Sequence, residues 1–260
     1  MTADDVPQVL QIWADNNLHE GTHTIQSFLN VDPEGFVVAV DDSTGMCAGV
    51  FVHPDTAFIG LYGVDPQYQK LGIGWQMWRK MMAHIGDRNA GLYAVPEHQS
   101  MYRDRAGFTH EDSRLMLLYE SDSVRTHTLV KNIDGIRVQR ITDSIENLVI
   151  EYDREVHRFS RARLLPHVFR EPDSMALVAI DEYDDSVVGY GCFRTNNIGK
   201  AMSGPLYANN DAVAELLVYK MIENFAIIET NGLLYMTLDS NPGGIRIAEK
   251  LGLHKHEELP

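Results

Sequence analysis

The chain has 260 residues, 44% apolar and 23% charged, the proportions of a folded globular protein large enough for one big domain or two of ordinary size. A net charge of −15 argues against nucleic acid as a partner, because phosphate affinity rests on clustered Lys and Arg; a field of that sign attracts a cationic or amine substrate and also favours solubility. No apolar run nears the ~20 residues of a membrane span and no basic-then-apolar leader opens the chain, so a soluble cytoplasmic protein without a membrane partner is expected, with Cys47 and Cys192 as free thiols of a reducing compartment.

In chain order, Val6 to Trp13 carries Val6, Val9, Leu10 and Trp13 on one helical face behind Asp4 and Asp5, and reads as an amphipathic helix. The stretch from Asn16 to Thr24 is irregular and contains His19-Glu20-Gly21-Thr22-His23, an H-E-x-x-H match in which two His one helical turn apart would bind zinc. That chemistry needs a helix, and Asn16, Asn17, Gly21 and Thr22 are weak helix formers, so zinc peptidase stands only as an alternative. Phe36 to Val40, a turn over Asp41 to Gly45, and Met46 to His53 read as a hairpin.

The apolar run from Ala57 to Val64 stops at Pro66, and two glycines, Gly72 and Gly74, precede a segment with Ile73, Met77, Met81 and Ile85 on one helical face. Strand, tight loop and helix follow one another. Such a loop leaves backbone N–H groups at the helix start pointing one way, where the helix dipole also favours negative charge, which makes an anion cradle. The dinucleotide fingerprint is excluded because Met77 stands where its third glycine belongs, and the mononucleotide G-K-[ST] ending is absent. Gly91 to Val95 reads as a further strand, a short helix leads to Ala106-Gly107-Phe108, and Leu115 to Tyr119 is expected to close this first sheet.

The polar stretch from Ser121 to His127 separates two segments, 1–120 and 128–260, and the second repeats the first. Ala176 to Ile180 with Val187 to Phe193 repeats the hairpin, Leu233 to Met236 repeats the strand at 91, and Ala248 to Leu253 repeats the Ala-Gly-Phe segment. Where the first copy has its cradle, the second has Ser203 to Asp211: Pro205 has no N–H to donate, and the Asp211 carboxylate repels phosphate. Arg154, Arg158 and Arg161 are expected on one helical face, able to hold an anion or be paired structurally. Ile136 to Arg140 gives the second copy a first strand that the first copy lacks, and no closing strand is read after Leu253.

The pattern V-x-P-x-x-Q-x-x-G-x-G from Val64 to Gly74 resembles the acetyl-coenzyme A pyrophosphate loop of the GNAT superfamily of N-acetyltransferases. Tyr152 to Val156 through Arg161 to Leu164-Leu165, with Gly204 to Ala208, resembles the C-terminal domain of tandem GNAT proteins. The resemblance implies an α/β fold of two tandem GNAT-like domains with mixed sheets, the first binding acetyl-coenzyme A as cosubstrate and the second degenerate. It also implies direct attack of a small-molecule or peptide amine on the thioester. By the same resemblance, strand residues Tyr62 and Val64 meet the pantetheine arm and the backbone of Gln69, Lys70, Leu71, Gly72, Ile73 and Gly74 holds the pyrophosphate. Tyr102 is the candidate acid for the thiolate, although it stands five residues before Gly107 where the family spacing is four. Glu97 and Glu20 are the candidate bases, and His19 or His23 could touch substrate. A non-catalytic acyl-coenzyme A sensor or scaffold is the alternative from another class.

Overall fold

A computed structural model describes every residue except Asn17 and Val40 to Thr44. The expected turn at Asp41 to Gly45 and the end of its first strand therefore lie largely outside the described residues. The main elements in chain order are α1 (Val6–Asp15), α2 (Thr24–Val31), β1 (Phe36–Ala39), β2 (Gly45–His53), β3 (Thr56–Val64), α3 (Ile73–Ile85), β4 (Asn89–Gly91), α4 (Gln99–Asp104), β5 (Met116–Ser121) and β6 (Ile136–Arg140). They continue as α5 (Glu146–His157), α6 (Leu165–Phe169), β7 (Ser174–Asp181), β8 (Val187–Thr195), β9 (Ala201–Ala208), α7 (Asp211–Asn224), α8 (Ile227–Asn231), β10 (Leu233–Leu238), α9 (Pro242–Leu251) and β11 (His254–Leu259).

The chain forms two compact units: Met1–Leu92 with Asp153–Ser174 and Thr195–Ile198, and Tyr93–Tyr152 with Met175–Arg194 and Gly199–Pro260. These units and the sequence segments 1–120 and 128–260 divide the chain differently.

The first unit holds a four-stranded sheet, β1-β2-β3-β4, antiparallel except for the parallel pair β3–β4. Strand alternation sorts β2 onto two faces. Met46, Ala48 and Val50 join the core with Val9 and Trp13 of α1 and Ile25 and Leu29 of α2. Gly45, Cys47 and Gly49 face α3 instead: the Cys47 thiol lies 3.0 Å from the Met81 sulfur, and a Cβ on Gly49 would come within 2.9 Å of Met81 and 2.7 Å of Ile85. Gly49 thus lets the apolar face of α3, Met77, Trp78, Met81 and Ile85, lie directly on the sheet. Residues 163–171 brace α2: Arg163 donates to the Val31 carbonyl at 2.7 Å, and the Ser27 hydroxyl donates to the buried Glu171 carboxylate at 2.7 Å.

The second unit holds a seven-stranded sheet in the order β11-β5-β10-β9-β8-β7-β6. Three expectations change here. The strand at Leu115 to Tyr119 does not close the first sheet, because β5 is antiparallel to both β10 and β11 in the second. Its inward residues Leu117 and Tyr119 fill the core with Val213, Leu217, Met221 and Ile247. The second copy does have a closing strand, β11, whose sequence His254 to Leu259 has no apolar alternation and is held by its ladder to β5. The strand expected at Gly91 to Val95 is not formed beyond Gly91: the strand here is the three-residue β4, which starts earlier at Asn89, and pairing with β3 ends at Phe58–Gly91.

Candidate functional site

The site is built on the end of β3. Opposite Cys47 of β2 stand two residues, Leu61 and Tyr62, because the register steps from Met46–Gly63 to Ala48–Gly60; this is a β-bulge, with Leu61 at φ +53°. On its other side β3 pairs with β4 only at Thr56, Ala57 and Phe58. From Ile59 onward that edge has no β4 partner, so its N–H and C=O groups can receive another extended chain.

After Val64 the backbone turns sharply. The Asp65 carboxylate accepts from the Gln67 N–H at 2.9 Å and starts a single helical turn, Pro66–Tyr68. The Gln69 side chain donates at 3.1 Å to the Val64 carbonyl and at 3.1 Å to Oδ1 of Asn16, so it clamps the loop to the scaffold. Lys70 then adopts φ +63° and Gly72 φ +81°. For lysine that left-handed conformation costs ~1 kcal/mol, and at Gly72 the absent side chain removes the cost. Space around a Cβ at Gly72 is open for 4 Å, whereas a Cβ at Gly74 would lie 2.6 Å from the Tyr62 hydroxyl oxygen. The two glycines therefore serve different ends: one permits the turn, the other lets the helix start approach Tyr62.

Gly72 is the N-cap of α3 and no side chain caps the helix. The first-turn N–H groups have no intrahelical acceptor, and they carry the positive end of the helix dipole. The loop from Pro66 to Gly72 is exposed, and Leu71 is 66% exposed. A diphosphate-bearing ligand fits this arrangement: N–H donors at a glycine-entered helix start, the Lys70 cation in the loop, and behind it the edge of β3 that β4 does not cover from Ile59 onward.

The second copy has the same strand-to-helix step from β9 to α7, and here the helix start is capped by its own chain. Asn210 is the N-cap of α7, and its side-chain oxygen accepts from the Val213 N–H at 3.0 Å. Asp211 adds a carboxylate to the first turn, held by the guanidinium of Arg246 on α9. A Cβ on Gly243 would lie 2.4 Å from that carboxylate, so α9 packs directly against it.

The other sequence candidates fall as follows. His19 to His23 do not lie on one helix: Gly21 makes an isolated bridge to Asn196, and His23 is the N-cap of α2. Among the described residues no group of three or more His, Cys, Asp or Glu could hold a metal ion. The helix that zinc chemistry requires is missing because the segment is laid along residues 195–197 instead, Thr22 N–H donating to the Thr195 carbonyl at 2.9 Å and Asn197 N–H to the Glu20 carbonyl at 2.9 Å. The Glu20 carboxylate accepts from the Gly21 N–H at 2.8 Å. Glu97, exposed in the turn Pro96–His98, and Tyr102 of α4 belong to the second unit, and the Tyr102 ring meets Phe108 edge-on at 6.5 Å. Arg154, Arg158 and Arg161 do not share a helical face, since α5 ends at His157 and Arg158 has φ +66°. Arg161 instead grips the fully buried Asp153 carboxylate through two nitrogens, a structural pair. His157 stands 3.7 Å from the same carboxylate; burial, then the Arg161 charge, hold its pKa below the ordinary value against the pull of Asp153. Burial pushes the Cys47 thiol well above its usual range, so it is no nucleophile. The part that sequence reading missed is Asn16, whose amide is ordinary in a sequence and acquires a partner only through the fold.

Two family models match the chain: one described as Acetyltransferase (GNAT) family over residues 6–108, the other as Acetyltransferase (GNAT) domain over residues 149–260. The chain is 29% identical over 214 residues to holothin acyltransferase of Pseudoalteromonas sp. (strain SANK 73390), covering 81% of this chain and 69% of that protein. Its fold is similar to that of a candidate acetyltransferase from Pyrococcus horikoshii, with TM-score 0.73 and 23% identity over 100% of this chain and 85% of the other. A tandem GNAT protein from the clavulanic acid biosynthesis pathway superposes with TM-score 0.69 at 16% identity, over 98% and 93% of the two chains. At those identities the two solved structures bear on fold alone. The two matched stretches span most of the sequence and are of one kind, and the chain therefore belongs to the GNAT superfamily as a tandem-domain acyltransferase.

Proposed function

We propose that the protein transfers an acetyl group from acetyl-coenzyme A to the amine of a small molecule or peptide. The observation that carries this reading is the uncapped, glycine-entered start of α3 beside the open edge of β3. The backbone from Gln69 to Gly74 holds the pyrophosphate, and the β3 edge around Tyr62 and Val64 takes the pantetheine arm. The acceptor's nitrogen attacks the thioester carbon, the C–N bond forms as the C–S bond breaks, and the amine's proton is passed on while the thiolate gains one. Tyr102 is the nominated donor of that second proton, and Glu20 and Glu97 the nominated bases. The relative named for holothin supports a discrete acceptor molecule. A net charge of −15 favours a cationic one and disfavours nucleic acid and anionic membrane surfaces. Two free, buried cysteines suit the cytoplasm.

A thiol-release screen across amine classes with acetyl-coenzyme A as donor is the test. Release with one class, lowered in Tyr102→Phe or either Glu→Ala variant, supports the assignment of those side chains. Coenzyme A binding by calorimetry without release from any amine would overturn transfer and leave a sensor.

A further inference from the structure

Val64, the last residue of β3, has a carbonyl that accepts from two side-chain amides, Gln69 Nε2 at 3.1 Å and Asn16 Nδ2 at 3.3 Å. The amides also join each other, Gln69 Nε2 donating to Asn16 Oδ1 at 3.1 Å, while Asn16 Nδ2 donates back to the Ile12 carbonyl at 2.7 Å. The network has one sense. Turning the Asn16 amide over would set its NH2 against that of Gln69, and its oxygen against the carbonyls of Ile12 and Val64. Asn16 is itself fixed, because its backbone N–H closes α1 onto Ile12 and Trp13 at 3.2 and 3.1 Å.

The position of this node matters more than its strength. Gln69 directly precedes Lys70, whose positive φ is uncommon for a side chain of that kind and has to be held in place. The exposed loop reaches α3 with no side-chain cap at the helix start. At the matching step of the second copy, Asn210 caps its helix from within and no such hold is needed.

We propose that Asn16 is a positioning residue for the donor: through Gln69 it locks the loop so that the N–H groups of residues 70 to 74 already point at one place before the diphosphate arrives. A preordered loop spares the ligand the ordering entropy of the segment, so loss of the lock weakens binding although Asn16 touches no part of the donor. The proposal rests on the acetyl-coenzyme A reading above.

The test uses the full chain with Asn16→Leu and Gln69→Met, near-isosteric and uncharged, singly and together. Coenzyme A affinity is read by calorimetry, loop order by NMR backbone order parameters, and the integrity of α3 by hydrogen exchange. Each single variant is expected to bind coenzyme A about tenfold more weakly, and the double variant no more weakly than either, since both break one unit. Order parameters should fall at residues 70 to 74 while the core residues of α3, Met77 to Ile85, keep their exchange protection. Unchanged affinity in Asn16→Leu would overturn the proposal, as would exchange rising through Met77 to Ile85, which marks general destabilisation. If the unaltered protein binds no coenzyme A, the donor reading itself fails, and the order parameters of residues 70 to 74 in the variants still report whether the lock exists.

Discussion

The starts of α3 and α7 occupy the same place in two copies of one fold and have opposite chemistry. Gly72 stands at the start of α3 and gives it no side-chain cap, while Asn210 caps α7 and accepts from Val213 N–H at 3.0 Å. The first turn of α7 carries a carboxylate, Asp211, engaged by Arg246; the loop before α3 carries Lys70. A helix start satisfied by its own chain is a stabilising end, worth ~1 kcal/mol for a good cap, and a helix start left unsatisfied is a binding end.

The largest expected break in this contrast is Gly72→Asp. It places at α3 the charge that α7 carries, in open space that admits the side chain and at a φ that Asp tolerates at a cost of ~1 kcal/mol. Repulsion of a diphosphate about 4 Å away amounts to roughly 4 kcal/mol at an effective dielectric of 20, so calorimetry should show coenzyme A affinity falling about a thousandfold while the fold persists. Affinity within threefold of wild type would remove the cradle from the site.

Gly74→Ala is expected to come next, at about tenfold, because its Cβ meets the Tyr62 hydroxyl at 2.6 Å and displaces either the ring or the helix start. Adding Tyr62→Phe should recover most of that loss if the contact is its cause, and a double variant as weak as the single one assigns the loss elsewhere.

At α7 the effect should be on stability alone. Asn210→Ala removes the cap and should cost about 1 kcal/mol in chemical denaturation, leaving coenzyme A bound at one per chain with unchanged affinity. A second binding event in that variant would show that the α7 start had been merely masked.

The smallest effect tests neither helix start and serves as the control for both. The pKa of His157 is held below its ordinary 6.5, so between those two values the unfolded chain binds more protons than the folded one. The stability from neutral His157 is complete above pH 6.5 and is lost as pH falls toward the folded value. His157→Gln should flatten that part of the stability profile without moving coenzyme A affinity at pH 7.5; an unaltered profile would assign the slope to other groups.

Sequence periodicity located α1, α3, the hairpins and the repeat, because helix and strand spacing report directly which residues must leave water. It also located the glycine-entered start of α3, since the positive φ at Gly72 and the close approach of Gly74 to Tyr62 are backbone demands that short-range structure imposes. It misplaced Leu115 to Tyr119 and missed β11, because an apolar strand reads alike in any sheet and a charged edge strand is held by its backbone ladder. It could not separate the anion-binding from the paired reading of Arg161, whose partner Asp153 is eight residues away and buried only by the fold.

The sequence by itself thus determined the repeat, the glycine-entered helix and the absence of a matching glycine pair before α7, all readable from residue spacing. Only the tertiary structure decided that β5 belongs with β10 and β11, that His19 to His23 lie along residues 195–197, and that Asn16 holds Gln69 across 53 positions of chain. Those outcomes depend on which distant groups come within hydrogen-bond reach, and chain separation carries no record of that distance.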